Sequence, residues 1–214
     1  MSRSRAFLLA AGVVSLGALT GAVLQDGPIR RLDWWLHQQI DPHLHGGPAR
    51  IAVIALSLTG QRGLVALPLL VLAGLTARRQ RSLRPVLVAL GALVGTAILV
   101  LVFKAAVGRV APGTGHDGVH ADGSSYPSGH AINAVVGWGL VLEFAASLNE
   151  RARRALSRRR GRLITAALAA LAGLSMLALD YHWLSDVVAG WLLGAVLLGI
   201  VLALNPVSRP APPG

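Results

Sequence analysis

The sequence predicts an all-α fold, a polytopic membrane bundle of six transmembrane helices with a polar site at its outward-facing end. Of the 214 residues, 54% are hydrophobic and 14% are charged, and the mean hydropathy is +0.60, which is unlike the composition of soluble domains. Six apolar runs approach the roughly 20 residues that a helix needs to cross a membrane. Arginines are concentrated in alternate connections between these runs.

The six predicted spans are separated by polar or basic connections. They are residues 6–25, 63–77, 85–103, 131–148, 163–179 and 187–204. The second is short, and an apolar piece at 51–59 precedes it across the break GQR, which predicts a segment that dips or lies at the interface before the span. Arg3 and Arg5 precede the first span, so a cleaved signal peptide is its alternative interpretation. The lack of a small-residue cleavage site favours a retained helix.

The distribution of arginine orients the predicted bundle. Arg3 and Arg5, the connection 78–84, the connection 151–162 with seven arginines, and Arg209 in the tail all fall on one side of a six-span chain. The positive-inside rule makes that side cytoplasmic. Both termini are then predicted inside, in a membrane of the bacterial inner or plasma type. The outward segments are 26–50, 104–130 and 180–186.

Three units follow from this organisation. Residues 1–50 form the first transmembrane helix and an outer segment, whose Trp34 and Trp35 predict an interfacial helix. Residues 51–204 form the transmembrane core, and residues 205–214 are predicted to be a disordered cytoplasmic tail. The net charge of +11 does not indicate a nucleic-acid partner, because the basic residues punctuate apolar runs. The lack of cysteine excludes disulfides and thiolate metal sites. Nothing in the sequence indicates an oligomeric state.

Polar residues at the outer face form two candidate site segments. His182 and Asp186 are four residues apart, so on one helical face the carboxylate can orient the imidazole of a nucleophile or base. Ser128 and Gly129 precede the fourth span, whose first amides can hold an anion, and His130 can protonate a leaving oxygen. A dipole-favoured aspartate and a capped helix with a solvated histidine are the alternative interpretations.

Two further outer features are less specific. Lys104, at the outer end of the third span, either snorkels to the headgroups or supplies a fixed charge to a phosphate. The loop 113–123 contains His116, His120, Asp117 and Asp122, and a metal site there is an alternative that its glycines disfavour, because they argue against a helix. The favoured interpretation of this loop is a flexible lid over the site.

These segments together resemble the signature of the type-2 phosphatidic acid phosphatase superfamily, in its membrane-integral branch. The family pattern is a lysine, six residues and Arg-Pro; then PSGH; then Ser-Arg, five residues, His, three residues and Asp. The resemblance covers roughly residues 50–204. The matching positions are Lys104 and Pro112, then Pro127, Ser128, Gly129 and His130, then Ser175, His182 and Asp186.

Two departures from the family pattern each remove a positive charge. Ala111 and Met176 stand where the family has phosphate-binding arginines. Losing one guanidinium contact in a partly desolvated site costs a few kcal/mol of anion stabilisation. Arg109, two residues before Ala111, is the nearest candidate replacement, and Arg62 is a second one if the fold brings it close.

The resemblance implies a lipid phosphatase that needs no metal and no cofactor. In the roles it implies, His182 is the nucleophile that forms a phosphohistidine, Asp186 orients it, and His130 is the general acid and then base. Lys104, Ser128 and Gly129, with Arg109 as the replacement, hold the phosphate. The implied substrate is a membrane lipid phosphate or diphosphate, such as a polyprenyl diphosphate, phosphatidic acid or a phosphorylated glycolipid. A family member that binds or transports such a lipid without hydrolysing it is the alternative.

Overall fold

The computed structural model describes residues 3–40 and 47–204, and these residues form helices joined by turns. The helices are α1 (Arg3–Leu24), α2 (Pro28–Ile40), α3 (Gly47–Ser57), α4 (Arg62–Gln80), α5 (Arg84–Val107), α6 (Gly129–Leu148), α7 (Glu150–Ala155), α8 (Arg158–Ala178) and α9 (Leu184–Ala203). The predicted tail 205–214 lies outside the described residues and stays a prediction.

The all-α membrane bundle predicted from the sequence is confirmed. Helices α1, α5, α6, α8 and α9 are each long and apolar enough to cross a membrane, and α3 with α4 makes a sixth candidate span that is bent by 42°. The bend lies at the GQR break, where Gln61 is extended and its side-chain oxygen accepts a hydrogen bond from the Leu64 amide at 3.1 Å. Gln61 therefore starts α4 as a new helix, as the break predicts.

Helix α6 is the centre of the bundle and packs against α4, α8 and α9, while α1 packs along α9. Small residues bring these helices close together. A Cβ atom at Gly194 of α9 would lie 2.9 Å from the Val135 side chain of α6, and one at Gly12 of α1 would lie 2.7 Å from Val196 of α9. Glycine at these positions lets the helices approach closely, as in membrane bundles generally.

The end of the bundle where α5 ends and α6 begins, here called the loop end, contains the connection 108–128. Helix α5 ends at Gly108, whose φ of +54° is in the left-handed region, which glycine adopts without strain. The His120 amide then donates to the Val107 carbonyl at 2.8 Å, and the Ser125 amide donates to the Arg109 carbonyl at 2.9 Å. The connection is thus a compact loop with its own hydrogen bonds, and its expected role as a flexible lid stays a prediction.

Helices α6 and α9 begin side by side at the loop end. The Ser128 amide donates to the Asp186 carbonyl at 2.9 Å, which ties the turn before α6 to the first turn of α9. Gly190 permits this contact, because a Cβ there would lie 2.7 Å from the Ser128 carbonyl oxygen and 2.8 Å from the Ala131 Cβ. The two candidate segments of the sequence are therefore held together by backbone.

Substituting Gly190→Ala tests this junction. The added methyl group meets backbone that cannot move aside, so we expect a loss of about 1–3 kcal/mol, as for overpacked cores, and a lower melting temperature in detergent. Gly74→Ala in α4 is the matched control, since a Cβ there meets nothing within 4 Å and alanine favours the helix. Equal melting temperatures for the two variants would contradict the close approach of α9 to the start of α6.

Candidate active site

The turn before α6 presents an open backbone surface at the loop end. Ser128 is fully buried and caps the helix, with its Oγ accepting a hydrogen bond from the Ala131 amide at 3.4 Å. Gly129 follows it, and a Cβ there would meet only Val100, at 4.0 Å. Gly129 thus faces open space at the start of α6, where helix N–H groups lack partners within the helix and an anion can bind.

His182 and Asp186 come together at the start of α9, although not on one helical face. Helix α9 begins at Leu184, so His182 precedes it. The completely buried Asp186 turns back, and its Oδ2 accepts a hydrogen bond from the Trp183 amide at 3.0 Å. His182 Nδ1 lies 3.6 Å from that same Oδ2 and has no closer hydrogen-bond partner.

Three basic side chains from separate parts of the chain converge beside these two segments. Lys104 comes from the last turn of α5, His130 from the first turn of α6 and His182 from the α8–α9 turn. His130 follows the Ser128–Gly129 turn, whose Ser128 amide is bonded to the Asp186 carbonyl, and Val100, one turn before Lys104, borders Gly129. The fold thus assembles the histidines and the lysine that the sequence proposes for phosphate chemistry.

Arg109 does not take the place of a missing phosphate-binding arginine. Its side chain is completely buried, and each of its five N–H groups has a protein acceptor. Nε and Nη2 donate to the two oxygens of Asp117 at 3.0 and 3.1 Å, Nη2 also donates to Asp33 at 2.8 Å, and Nη1 donates to Ser185 and Asp186 at 2.7 and 2.9 Å. The expected role of Arg109 as a phosphate ligand is therefore corrected, because no donor remains for the phosphate.

The positions of the two missing arginines are not compensated by Arg62. Met176 is buried among apolar side chains that include Ala131 and Val187. The Arg62 guanidinium donates to the Leu93 carbonyl at 3.0 Å, and Leu93 precedes Lys104 by eleven residues, or about 16 Å along α5. The Arg62 guanidinium is thus directed to the middle of α5 and away from Lys104, although Gly60, two residues before Arg62, packs on His130.

The loop that carries His116 and His120 is organised by ion pairs. Asp117 binds Arg109 and also Arg30 of α2, whose Nε lies 2.8 Å from Asp117 Oδ2. Across residues 3–40 and 47–204, no three histidine, aspartate or glutamate side chains cluster so as to hold a metal. The alternative of a metal site in this loop finds no such cluster among the described residues, and Asp117, one of its two carboxylates, is bound to arginines.

Sequence reasoning missed Asp33 of α2. Its buried Oδ1 accepts a hydrogen bond from the Ser185 amide at 2.9 Å, and its Oδ2 accepts from the Ser185 hydroxyl at 2.5 Å. Burial raises the pKa of Asp33, and the partners Arg109 and Ser185 offset only part of that effect. The sequence signal for a role of Asp33 is that this carboxylate stands beside the apolar side chains of Trp34 and Trp35. The same pattern is also typical of an interfacial helix.

The chain resembles known proteins both in its sequence and in its fold. The sequence profile of the PAP2 superfamily matches residues 85–209. The fold matches the crystal structure of a transmembrane PAP2 type phosphatidylglycerolphosphate phosphatase from Bacillus subtilis, with a TM-score of 0.76 and 18% identity over 93% of this chain and 96% of that chain. No curated protein matches the sequence.

The ion pairs of Asp117 predict a pH dependence of stability. Burial acts to raise the pKa of Asp117, but hydrogen bonds from Arg109 and Arg30 outweigh it and lower the pKa below the ordinary 3.8. The stabilisation is therefore fully present above pH 3.8 and is lost as the pH falls through the lowered pKa. We expect Asp117→Asn to melt at a lower temperature than wild type at pH 7, with a difference that shrinks below pH 3.8.

Asp122→Asn is the control for this measurement. Asp122 is exposed in the same loop, and its φ of 54° is a backbone angle that asparagine tolerates. Melting temperatures of the three proteins are measured from pH 7 to pH 3. A difference between wild type and Asp117→Asn that stays constant over this range would show that the ion pairs do not stabilise the loop.

Proposed function

The chain belongs to the PAP2 superfamily, and we propose that it is an integral membrane lipid phosphatase that hydrolyses a phosphate or diphosphate monoester through a phosphohistidine at His182. The observation that carries the proposal is the junction of three segments: the Ser128 amide before His130 donates to the Asp186 carbonyl at 2.9 Å, and the open space at Gly129 is bordered by Val100, one turn before Lys104. Positive charge and free N–H donors surround the space in which a phosphoryl group would sit. Such an arrangement stabilises the charge that develops on the phosphoryl oxygens.

In the first step His182 attacks phosphorus. Its Nδ1 lies towards Asp186, so Nε2 carries the lone pair that forms the N–P bond, and Asp186 stabilises the imidazolium that results. The P–O bond to the leaving group breaks, and protonated His130 gives its proton to the leaving oxygen. Lys104, the Ser128 hydroxyl and the Gly129 amide hold the other phosphoryl oxygens.

In the second step a water molecule attacks the phosphohistidine. His130, now neutral, takes a proton from the water as the O–P bond forms. The N–P bond breaks, its electron pair returns to Nε2 of His182, and inorganic phosphate leaves. The two steps restore both histidines to their starting protonation states, and neither requires a metal or cofactor.

The substrate class and the orientation follow from where the site lies. The proposed site is at the end of spans rich in exposed leucine and valine, which is where the headgroup of a bilayer lipid lies. By the positive-inside rule the arginine-rich connections at the opposite end are cytoplasmic. We therefore propose an outward-facing site for a polyprenyl diphosphate, phosphatidic acid or a related lipid, with both termini in the cytoplasm. The Bacillus subtilis protein of the same fold adds phosphatidylglycerol phosphate to these candidates.

The contacts of Arg109 and Arg62, and the apolar residue at position 176, favour a second function. Arg109 is saturated by protein acceptors, Arg62 binds α5, and Met176 is packed in an apolar cluster. A site with few fixed positive charges stabilises a phosphoryl transition state less well. The alternative is therefore a protein on the same fold that binds or transports a phosphorylated lipid without hydrolysing it.

Phosphate release by the purified protein in detergent tests the first proposal. The substrates are polyprenyl diphosphates, phosphatidic acid and phosphatidylglycerol phosphate. We expect His182→Ala to lower kcat by about three orders of magnitude or more, as removal of a covalent nucleophile does. His116→Ala is the control, because His116 is exposed in the loop and should leave kcat unchanged. Lipid binding without phosphate release from any substrate would contradict the phosphatase proposal and favour the lipid-binding protein.

Restoring one signature arginine tests how the phosphate is held. Ala111 is partly exposed on extended backbone, with φ of −77° and ψ of 154°, so a longer side chain needs no backbone change. We expect Ala111→Arg to lower KM about tenfold, since a charge-assisted contact is worth about 1.5–3 kcal/mol. Ala111→Gln supplies a polar side chain without the charge and should leave KM near the wild-type value. An unchanged KM in Ala111→Arg would place the phosphate away from residue 111.

A further inference from the structure

Asp186 is held by one group from its own turn and by one from another part of the chain. The hydrogen bond from the Trp183 amide to Oδ2 by itself would leave Oδ1 of this buried carboxylate without a partner. Arg109 supplies both the charge and the second contact, with Nη1 2.9 Å from Oδ1. Because Oδ1 is fixed by Arg109, Oδ2 is directed to the side on which His182 lies.

The start of α9 is capped by a residue of another helix. Trp183 is the N-cap residue, and its side chain makes no capping hydrogen bond. Asp33 of α2 caps the helix instead. Its Oδ1 accepts a hydrogen bond from the Ser185 amide in the first turn of α9, and its Oδ2 accepts one from the Ser185 hydroxyl. The first turn of α9, which contains Asp186, is therefore placed by α2.

Arg109 and Asp33 also bind each other. Arg109 Nη2 lies 2.8 Å from Asp33 Oδ2, both side chains are buried, and the Arg109 guanidinium stacks over the Trp183 ring at 5.1 Å. Each of the two residues contacts one side of the same turn of α9. The buried ion pair is therefore an internal support for Asp186, with its donors and acceptors matched on all sides.

We propose that Arg109 and Asp33 are positioning residues that hold Asp186 in the orientation required to align His182. The proposal rests on the function proposed above. Asp33 lies in α2, before the residues 85–209 that match the superfamily profile, so part of the support of the site comes from a helix outside the matched range. Neither residue has a donor or acceptor directed at the phosphate, which leaves substrate binding to other groups.

Kinetic constants of conservative variants test the proposal. We expect Arg109→Lys and Asp33→Asn to lower kcat by about tenfold to hundredfold, the range for residues that orient a functional group indirectly, with KM nearly unchanged. Lysine replaces a five-donor fork with one point charge, so it supports Asp186 only in part. Arg31→Gln removes a charge from an exposed position of α2 and should leave both constants at wild-type values.

A double-mutant cycle separates positioning from general stability. If Arg109 acts through Asp186, its substitution costs activity in the wild-type background and little more in an Asp186→Asn background. If Arg109 acted only on stability, its substitution would lower kcat by the same factor in both backgrounds. The loss of activity would then parallel the loss in melting temperature. Equal factors in the two backgrounds, or a kcat for Asp33→Asn equal to that of Arg31→Gln, would overturn the proposal.

Nuclear magnetic resonance of protein labelled with ¹⁵N-histidine tests the positioning without catalysis. The His182 signals are identified by their loss in His182→Ala. We expect the Nδ1 signal to shift in Asp33→Asn and Arg109→Lys, because the Asp186 carboxylate beside it changes orientation, but not in Arg31→Gln. If the wild type releases no phosphate, the proposed function fails while this measurement still decides the positioning. Unshifted His182 signals in both variants would refute it.

Discussion

A guanidinium group removed from water requires a partner for each of its N–H groups, and Arg109 meets this requirement by drawing three segments of the chain together. Its acceptors come from α2, from the loop after α5 and from the first turn of α9. One cation also offsets part of the charge of three carboxylates, Asp33, Asp117 and Asp186, whose burial without it would be costly. The arrangement of the loop end depends on this one side chain.

The proposed chemistry uses the ends of helices, where backbone groups and charges are available. Helix α6 offers its first amides at Gly129, α5 offers Lys104 in its last turn, and the turn before α9 offers His182. In the apolar interior of a membrane bundle such groups would be expensive to expose. They lie instead at the loop end, where the spans end, and the proposed function places them at the level of lipid headgroups.

The chain keeps the family and the fold while it departs from the family pattern at two charged positions. Membership of the PAP2 superfamily rests on residues 85–209, and the fold matches a transmembrane phosphatase from Bacillus subtilis at a TM-score of 0.76. Two positions that carry arginine in the family pattern are alanine and methionine here, and Met176 is packed as an apolar core residue. The basic charge that remains at the site comes from Lys104, His130 and His182.

The sequence by itself determined the bundle and the two short motifs from which the reacting groups are proposed. Apolar length fixes where helices cross a membrane, and the PSGH turn and the His182–Asp186 spacing are local patterns, so each is readable from neighbouring residues. Only the tertiary structure decided what Arg109 does, because its partners Asp33 and Asp186 lie 76 and 77 residues away along the chain. Residue type shows that a buried arginine needs acceptors, but folding alone determines which carboxylates it finds.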